Sequence, residues 1–282
     1  MSLEYQKKTM EFYDAVAEEF DKTRIKPDPF LEMLAAKNFF KSSRFILDNG
    51  CGNCRNLTLF SEKNVLIAGD VSRKMLKQCR KNKSGLNIHH LQYVLTHLPF
   101  RNDVFDGIVC IAAIHHLKKN DVVKAMLEMK NVLKDKGWLL VSSWSNKILR
   151  SKRFSKKVEK TDDYFLIKWG KYKRFYFLMD AKMLRGLCEE AGFKNTVALE
   201  HGMNSYILIE GEANLIRGRW VFKSKQYGPS WLKMTHVFSK KIYFPLKDFP
   251  LRLRWCSPVK HTSLSSSGPG FKSRSEHSKQ SF

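Results

Sequence analysis

The residues best suited to chemistry lie in the stretch Arg44-Phe-Ile-Leu-Asp-Asn-Gly-Cys-Gly-Asn-Cys54. An apolar run leads to the acid Asp48 and then to Gly50 and Gly52, one residue apart. Glycine lets a backbone turn tightly and approach a ligand with no Cβ in the way. Asn56-Leu-Thr-Leu-Phe60 then reads as a helix start, whose amide end would point at that ligand. Strand, glycine turn and helix make the phosphate- or nucleoside-binding half of an α/β fold. Charge narrows the ligand. A dinucleotide site wants a third glycine where Arg55 stands, and Asp48 would face a pyrophosphate with like charge. A P-loop would need a Gly-Lys-Ser/Thr that does not follow. A nucleoside with a cationic amino-acid end suits the acid instead. S-adenosylmethionine, with its sulfonium, ammonium and adenosine, fits best. Asp70 then gains a role. It ends a second apolar run, Val65–Asp70, where a carboxylate can take both ribose hydroxyls. A tight turn in an unliganded domain is the bland alternative.

Elements must position these groups. Residues 9–22 carry apolar side chains at helical spacing, and Thr23-Arg-Ile-Lys-Pro-Asp-Pro29 breaks that helix. A second helix is expected over about 29–40. Ser72 caps a helix through Arg80. Strands are expected at 87–94, 105–113 and 138–143, with a helix over about 121–134 capped by Asn120 and ended by Gly137. A basic insertion, 146–172, interrupts the pattern. A helix at 181–191 and a hairpin of 195–200 with 205–210 complete the sheet. The expected fold is α/β, a doubly wound, mostly parallel seven-stranded sheet. It spans residues 1–211, followed by a basic, aromatic extension (212–260) and a serine-rich tail (261–282) expected to be disordered.

Composition sets the partner class. Lys and Arg total 51 against 27 Asp and Glu, a net charge of +24 over 282 residues, which implies a polyanion. No apolar run approaches the roughly 20 residues of a membrane span, and the N-terminus lacks the apolar core of a secretory signal. Six scattered cysteines suit a reducing cytoplasm, and Cys51 and Cys54 read as residues of the glycine turn. No metal site is expected, either there or among His89, His90 and His97.

The order of parts over about residues 9–211 resembles a class I S-adenosylmethionine-dependent methyltransferase. It is more specifically similar to the tRNA methyltransferases that esterify a carboxymethyl group on a wobble uridine, the family that includes the AlkB-homologue methyltransferase domain. Four stretches carry the resemblance: Tyr13-Asp with Thr23-Arg-Ile-Lys-Pro27; Asp48-Asn-Gly-Cys-Gly-Asn53; Ile111-Ala-Ala-Ile-His-His116; and Lys173-Arg-Phe-Tyr-Phe-Leu178. The resemblance implies a cofactor site of Tyr13, Asp48, Gly50, Gly52, Asp70, Val71, Val94, Leu95, Ile111 and Ala112. The chain departs from the family twice. Cys54 stands where a third loop glycine is usual, and Val94 where an acid commonly meets the adenine. The family also implies a small zinc-binding activator subunit that adds a strand at the 87–94 edge, a stretch with no Lys, Asp, Glu or Pro to blunt it.

Methyl transfer from a sulfonium is an in-line displacement, so positioning supplies most of the catalysis. A carboxylate nucleophile is ionised at neutral pH and needs cations to orient it, not a base. Arg24 and Arg174 are the candidates, since a guanidinium grips carboxylate or phosphate in a fork. His116, at the end of a strand bordering the cofactor, would orient or hydrogen-bond the substrate, with Tyr176 stacking there. His115 has the weaker claim and could simply cap the strand. The cations of 146–172 would meet phosphates. Two other readings stand beside tRNA methylation: a small-molecule methyltransferase, which leaves +24 unexplained, and a catalytically silent RNA-binding relative.

Overall fold

A computed structural model describes residues 2–82, 86–152, 154, 157–161, 163–210 and 233–234. Helices α1 (Ser2–Thr23) and α2 (Pro29–Ala36) precede the sheet. The strands are β1 (Phe45–Asn49), β2 (Val65–Asp70), β3 (Ile88–Gln92), β4 (Phe105–Ile111) and β5 (Leu133–Trp144), then β9 (Thr196–His201) and β10 (Asn204–Glu210). Helix α3 (Arg73–Asn82) joins β2 to β3, α4 (Lys119–Val132) joins β4 to β5, and α5 (Ala181–Glu190) precedes β9. The order across the sheet is β9-β10-β5-β4-β1-β2-β3, with β10 antiparallel to both neighbours. This is the expected seven-stranded arrangement. A two-residue strand β11 (Lys233–Met234) adds outside β9.

Burial follows the topology. The central strand β4 is buried along almost its whole length, as a parallel strand covered on both faces must be. One apolar layer packs α4 and α5 on one face, with Ile108, Val122, Met126, Leu139 and Leu184 inside it. The other packs α2, the glycine turn and α3, with Leu31, Ile46, Leu57, Leu66 and Leu76. β3 lies at the edge and is nowhere fully buried.

Several boundaries move. The first helix begins at Ser2, well before residue 9. Asn120 does not cap α4, because the helix starts at Lys119. Strand 87–94 shortens to Ile88–Gln92, so Val94 lies in the loop beyond it. No α-helix follows the glycine turn. Arg55–Leu59 form a short 3-10 helix, ended by an extended Phe60. Asn56 is drawn away from helix-start duty, since its Oδ1 accepts from the Asp28 amide that begins α2. The basic insertion also has structure of its own. β6 (Val158–Lys160), β7 (Phe165–Trp169) and β8 (Tyr172–Tyr176) form a separate antiparallel sheet. It is held to the domain through Ile148, Ile167, Tyr176 and Leu178. Charge at its exposed alternate positions hid the strand pattern. The extension 212–260, apart from β11, and the tail 261–282 lie outside the described residues.

One cysteine pair departs from separate thiols: Cys54 and Cys79 form a disulfide. Their 25-residue separation gave no sequence signal. Packing of α3 against the turn brings their Cα atoms to 5.1 Å, within bridging range. Cys51 stays a free, buried thiol, as a turn residue should.

Candidate active site

The glycine turn is built by its backbone. Gly50 has φ +83°, and its N–H and that of Cys51 donate to the Gly69 carbonyl at 2.8 and 2.9 Å. A Cβ on Gly50 would overlap the Ala113 methyl, so β1 can meet the end of β4 only through a glycine. Cys54 also sits in the left-handed region, at φ 60°. That explains why a glycine is usual at this position. A cysteine there costs on the order of 1 kcal/mol of backbone strain.

Asp70 closes the turn from β2. Its Oδ2 accepts from Gly52 N and its Oδ1 from Ser72 N, both at 2.8 Å. Carboxylate oxygens have further lone pairs, so a diol can still bind. Burial pushes its pKa up to about 6, and those backbone N–H groups resist the rise. Asp48 is more extreme. It is fully buried, and neither carboxyl oxygen has a hydrogen-bond partner among the described residues. Burial first, then the Asp70 charge, push it up to about 7, with Arg55 opposing. A buried acid with both oxygens orphaned is costly unless a cation or donor completes it.

Around the turn opens a cleft of about 850 Å³, its mouth included. Tyr13, Gly50, Gly52, Asp70, Val71, Val94, Leu95, Ile111, Ala112 and His116 all line it, so ten sequence-predicted residues converge. Asp48 lies behind the wall rather than on it. Arg24, Arg174 and Tyr176 are also absent from the lining. Several wall residues escaped the sequence reading, among them Gln6, Thr9, Phe20, Arg55, Met75 and Leu117. Arg55 was visible only as the residue that spoils a dinucleotide pattern. Phe20 and Met75 fall within expected helices, and Gln6 lies before the helix that the spacing marked from residue 9.

Ser72 and Asp14 lock α1 over the cleft. The Ser72 hydroxyl donates to Asp14 Oδ1 at 2.6 Å, and Lys74 N donates to the same oxygen at 3.0 Å. The neighbouring Tyr13 then reaches His116, with 2.7 Å between its hydroxyl and Nε2. His116 Nδ1 lies 2.8 Å from the Phe175 carbonyl. A carbonyl only accepts, so Nδ1 carries the proton and Nε2 accepts from Tyr13. Burial holds His116 down to about 3, partly offset by that carbonyl, so the ring is neutral. His115 is buried too, and its Nδ1 accepts from Trp144 N at 3.1 Å. It stacks on Tyr176 at 4.9 Å, which is a scaffold role.

Beside this pair the small sheet delivers Arg174. Its guanidinium lies 4.7 Å from the Trp169 ring centre, 5.0 Å from Tyr176, 5.5 Å from Phe12 and 5.6 Å from Trp144. The residue is 6% exposed. Burial raises the pKa of the Tyr13 hydroxyl, and this cation opposes the rise. Its Nε has no partner, and among the described residues no carboxylate pairs with it. Arg24 lies 5.4 Å from the same Trp169 ring and 5.7 Å from Phe20. Asn53 of the glycine turn fixes that segment by donating to the Arg24 carbonyl at 2.8 Å. Both predicted arginines and Tyr176 therefore gather on one aromatic box next to the cleft. The chemistry on offer is a cation-accepting cleft joined to an anion-accepting box.

Known proteins are similar to this chain in sequence and in fold. Residues 46–137 match the family described as "Methyltransferase domain". A protein of Encephalitozoon cuniculi that carries a methyltransferase name is 30% identical over 68% of this chain and 88% of its own length. The Arabidopsis thaliana tRNA (carboxymethyluridine(34)-5-O)-methyltransferase is 32% identical over 56% of this chain, which spans 34% of that longer protein. Among solved structures, a Burkholderia thailandensis 1,6-didemethyltoxoflavin-N1-methyltransferase with bound S-adenosylhomocysteine superposes with TM-score 0.56 at 14% identity. That match covers 75% of this chain and 90% of the other. A methyltransferase chain from the Haloferax volcanii complex with the Trm112 methyltransferase activator gives TM-score 0.53, also at 14% identity, over 72% and 96%.

Proposed function

Since the chain belongs to the class I S-adenosylmethionine-dependent methyltransferases, we propose that it methylates a carboxylate carried by RNA, esterifying a carboxymethyl group on a tRNA wobble uridine. The cofactor is S-adenosylmethionine, and the residues fit it. The orphaned Asp48 carboxyl and the Asp70 carboxyl favour its cationic end and ribose diol, and Gly50 leaves backbone room. When bound, it supplies a methyl group on a sulfonium.

The observation that carries the substrate is Arg174. A buried guanidinium without a countercharge calls for an anion. It would orient a carboxylate toward the cleft, while the half-buried Trp169 ring offers a flat surface for a pyrimidine. Tyr176 cannot take the stacking role expected of it, because it is buried and stacked on His115 and Trp144. His116 Nε2 would hold the Tyr13 hydroxyl, which donates to it, at the border of cleft and box. The His116 ring is neutral and its Nε2 is occupied, so its part is positioning rather than proton transfer. No base is needed. The net charge of +24 and the similarity to the Arabidopsis enzyme support an RNA substrate in the cytoplasm. The cations of 146–172 and of the extension would meet phosphates.

A small zinc-binding activator subunit would add a strand at β3. The edge position supports it, as does the likeness to a chain solved with an activator. Asn87 O accepts from Leu66 N and Tyr93 N donates to Asp70 O, so odd-numbered residues of this stretch bond inward. The backbone of Gln92 faces outward, and Gln92→Pro should block strand addition in co-purification. Gln92 Nε2 also donates to the Val71 carbonyl, so Gln92→Ala, which keeps the backbone N–H, should still assemble and serves as the control for cofactor affinity.

The decisive experiment uses bulk tRNA and cofactor labelled in its methyl group. Label that enters tRNA and leaves in mild alkali supports the ester. Label that survives alkali, or none in tRNA, removes the reading.

A further inference from the structure

We propose that Cys54, Cys79 and His90 form a binding site for a thiophilic divalent metal of the zinc class, available in the reduced protein. Cys54 closes the glycine turn, Cys79 lies on α3, and His90 lies on the edge strand β3. The three donor atoms, two Sγ and one Nε2, lie within 4.8 Å of one another. His90 Nε2 is 3.1 Å from Cys79 Sγ. Both sulfurs are fully buried, whereas His90 is half-buried.

The donor set selects the metal. Two thiolates and an imidazole suit zinc, whereas magnesium and calcium want oxygen, and the cluster holds no carboxylate. A tetrahedral ion held by these three donors would leave a fourth position for water. The disulfide is the oxidised form of the same donors. Two equivalents of a small thiol such as glutathione reduce it, giving two cysteine thiols and one glutathione disulfide. Metal entry then displaces two thiol protons to solvent. It forms two metal–sulfur bonds and one metal–nitrogen bond, with no further electron transfer.

Two observations beyond proximity support a bonded site. Cys54 keeps a left-handed backbone that its side chain does not favour, which persists where the side chain gains bonds. The three donors also come from the turn, the helix and the strand that surround Asp70, so one ion would staple three elements around the cleft. The site stands whether or not the substrate is RNA.

The test is a zinc titration of full-length protein, reduced by a phosphine, against a chromophoric chelator, with cobalt(II) as an optical probe. Wild type should bind one equivalent more than Cys79→Ser and His90→Ala, each of which should weaken that site at least tenfold. Cobalt should give a sulfur-to-metal charge-transfer band that disappears in Cys79→Ser. If Cys79→Ser does not fold, His90→Ala decides alone, because its side chain is half-exposed on an edge strand. Binding that is absent in wild type, or equal in wild type and variants, overturns the proposal. So does a Cys54–Cys79 disulfide that persists in a glutathione buffer of cytosolic poise, since the thiolates would then never form.

Discussion

The cleft and the aromatic box are adjacent, yet they are unbalanced in opposite senses. Behind the cleft wall, Asp48 is a buried acid with no hydrogen-bond partner among the described residues. In the box, Arg174 is a buried cation with no carboxylate beside it. Each alone is a destabilising arrangement, and bringing them together would cancel both. They stay apart because Asp48 is fixed on β1 by the main sheet and Arg174 on β8 by the small one. The lesson is that neither half is complementary to the other. On the proposed reading, a cation completes one and an anion completes the other.

The comparison breaks most severely at Gly50. Gly50→Ala adds a methyl where Ala113 already sits, at a φ of +83°. Methylation should fall below detection, and calorimetry should find cofactor binding lost. Retained binding would show that the turn does not form the cofactor wall.

Arg174→Met should separate the halves. Losing one member of a buried charge pair costs about 2–5 kcal/mol of binding, so kcat/KM for the carboxylate substrate should drop by about 30-fold or more. Cofactor affinity should stay at the wild-type value. The same change should leave the free protein equally or more stable, because a buried unpaired charge is removed. A melting temperature that falls by many degrees would mean Arg174 is a structural residue.

Asp70→Asn should weaken cofactor binding by about 10- to 100-fold, the scale of one or two charged hydrogen bonds, with the fold intact. Wild-type affinity would remove the ribose assignment.

The smallest effect is in pH. The pKa of Asp48 is raised to about 7 in the folded chain, so the folded state binds its proton more tightly than the unfolded state does. Its contribution to stability is full below the ordinary carboxylate range and is lost as pH rises through about 7. The melting temperature of the free protein should therefore fall between about pH 5 and pH 8, and Asp48→Asn should flatten that slope. Cofactor affinity should move the other way, rising by up to about tenfold per pH unit toward 7 as the acid ionises to meet a cation. His116, held near 3, stays neutral throughout and adds no inflection in that range.

The sequence by itself determined the half of the site that is local. Asp48, Gly50, Gly52 and Asp70 fall on two consecutive strand ends, and the alternation of strand and helix fixes those ends on one side of a parallel sheet. Periodicity likewise revealed the strands of the main sheet, since apolar runs must be covered, and the doubly wound order put 87–94 at its edge. Tertiary structure decided what depends on distant chain segments meeting. Tyr13 reaches His116 across 103 residues, and Cys54 meets Cys79 and His90 from three separate elements. The turn-following helix is reduced to a 3-10 helix because Asn56 is engaged by the start of α2. The small sheet read as a basic insertion, because its strands expose lysines on one face. Only folding shows that the opposite face of that insertion carries Arg174 into a wall of aromatic rings. Charge alone marks a cation, and its burial among aromatic rings is what makes Arg174 a candidate site.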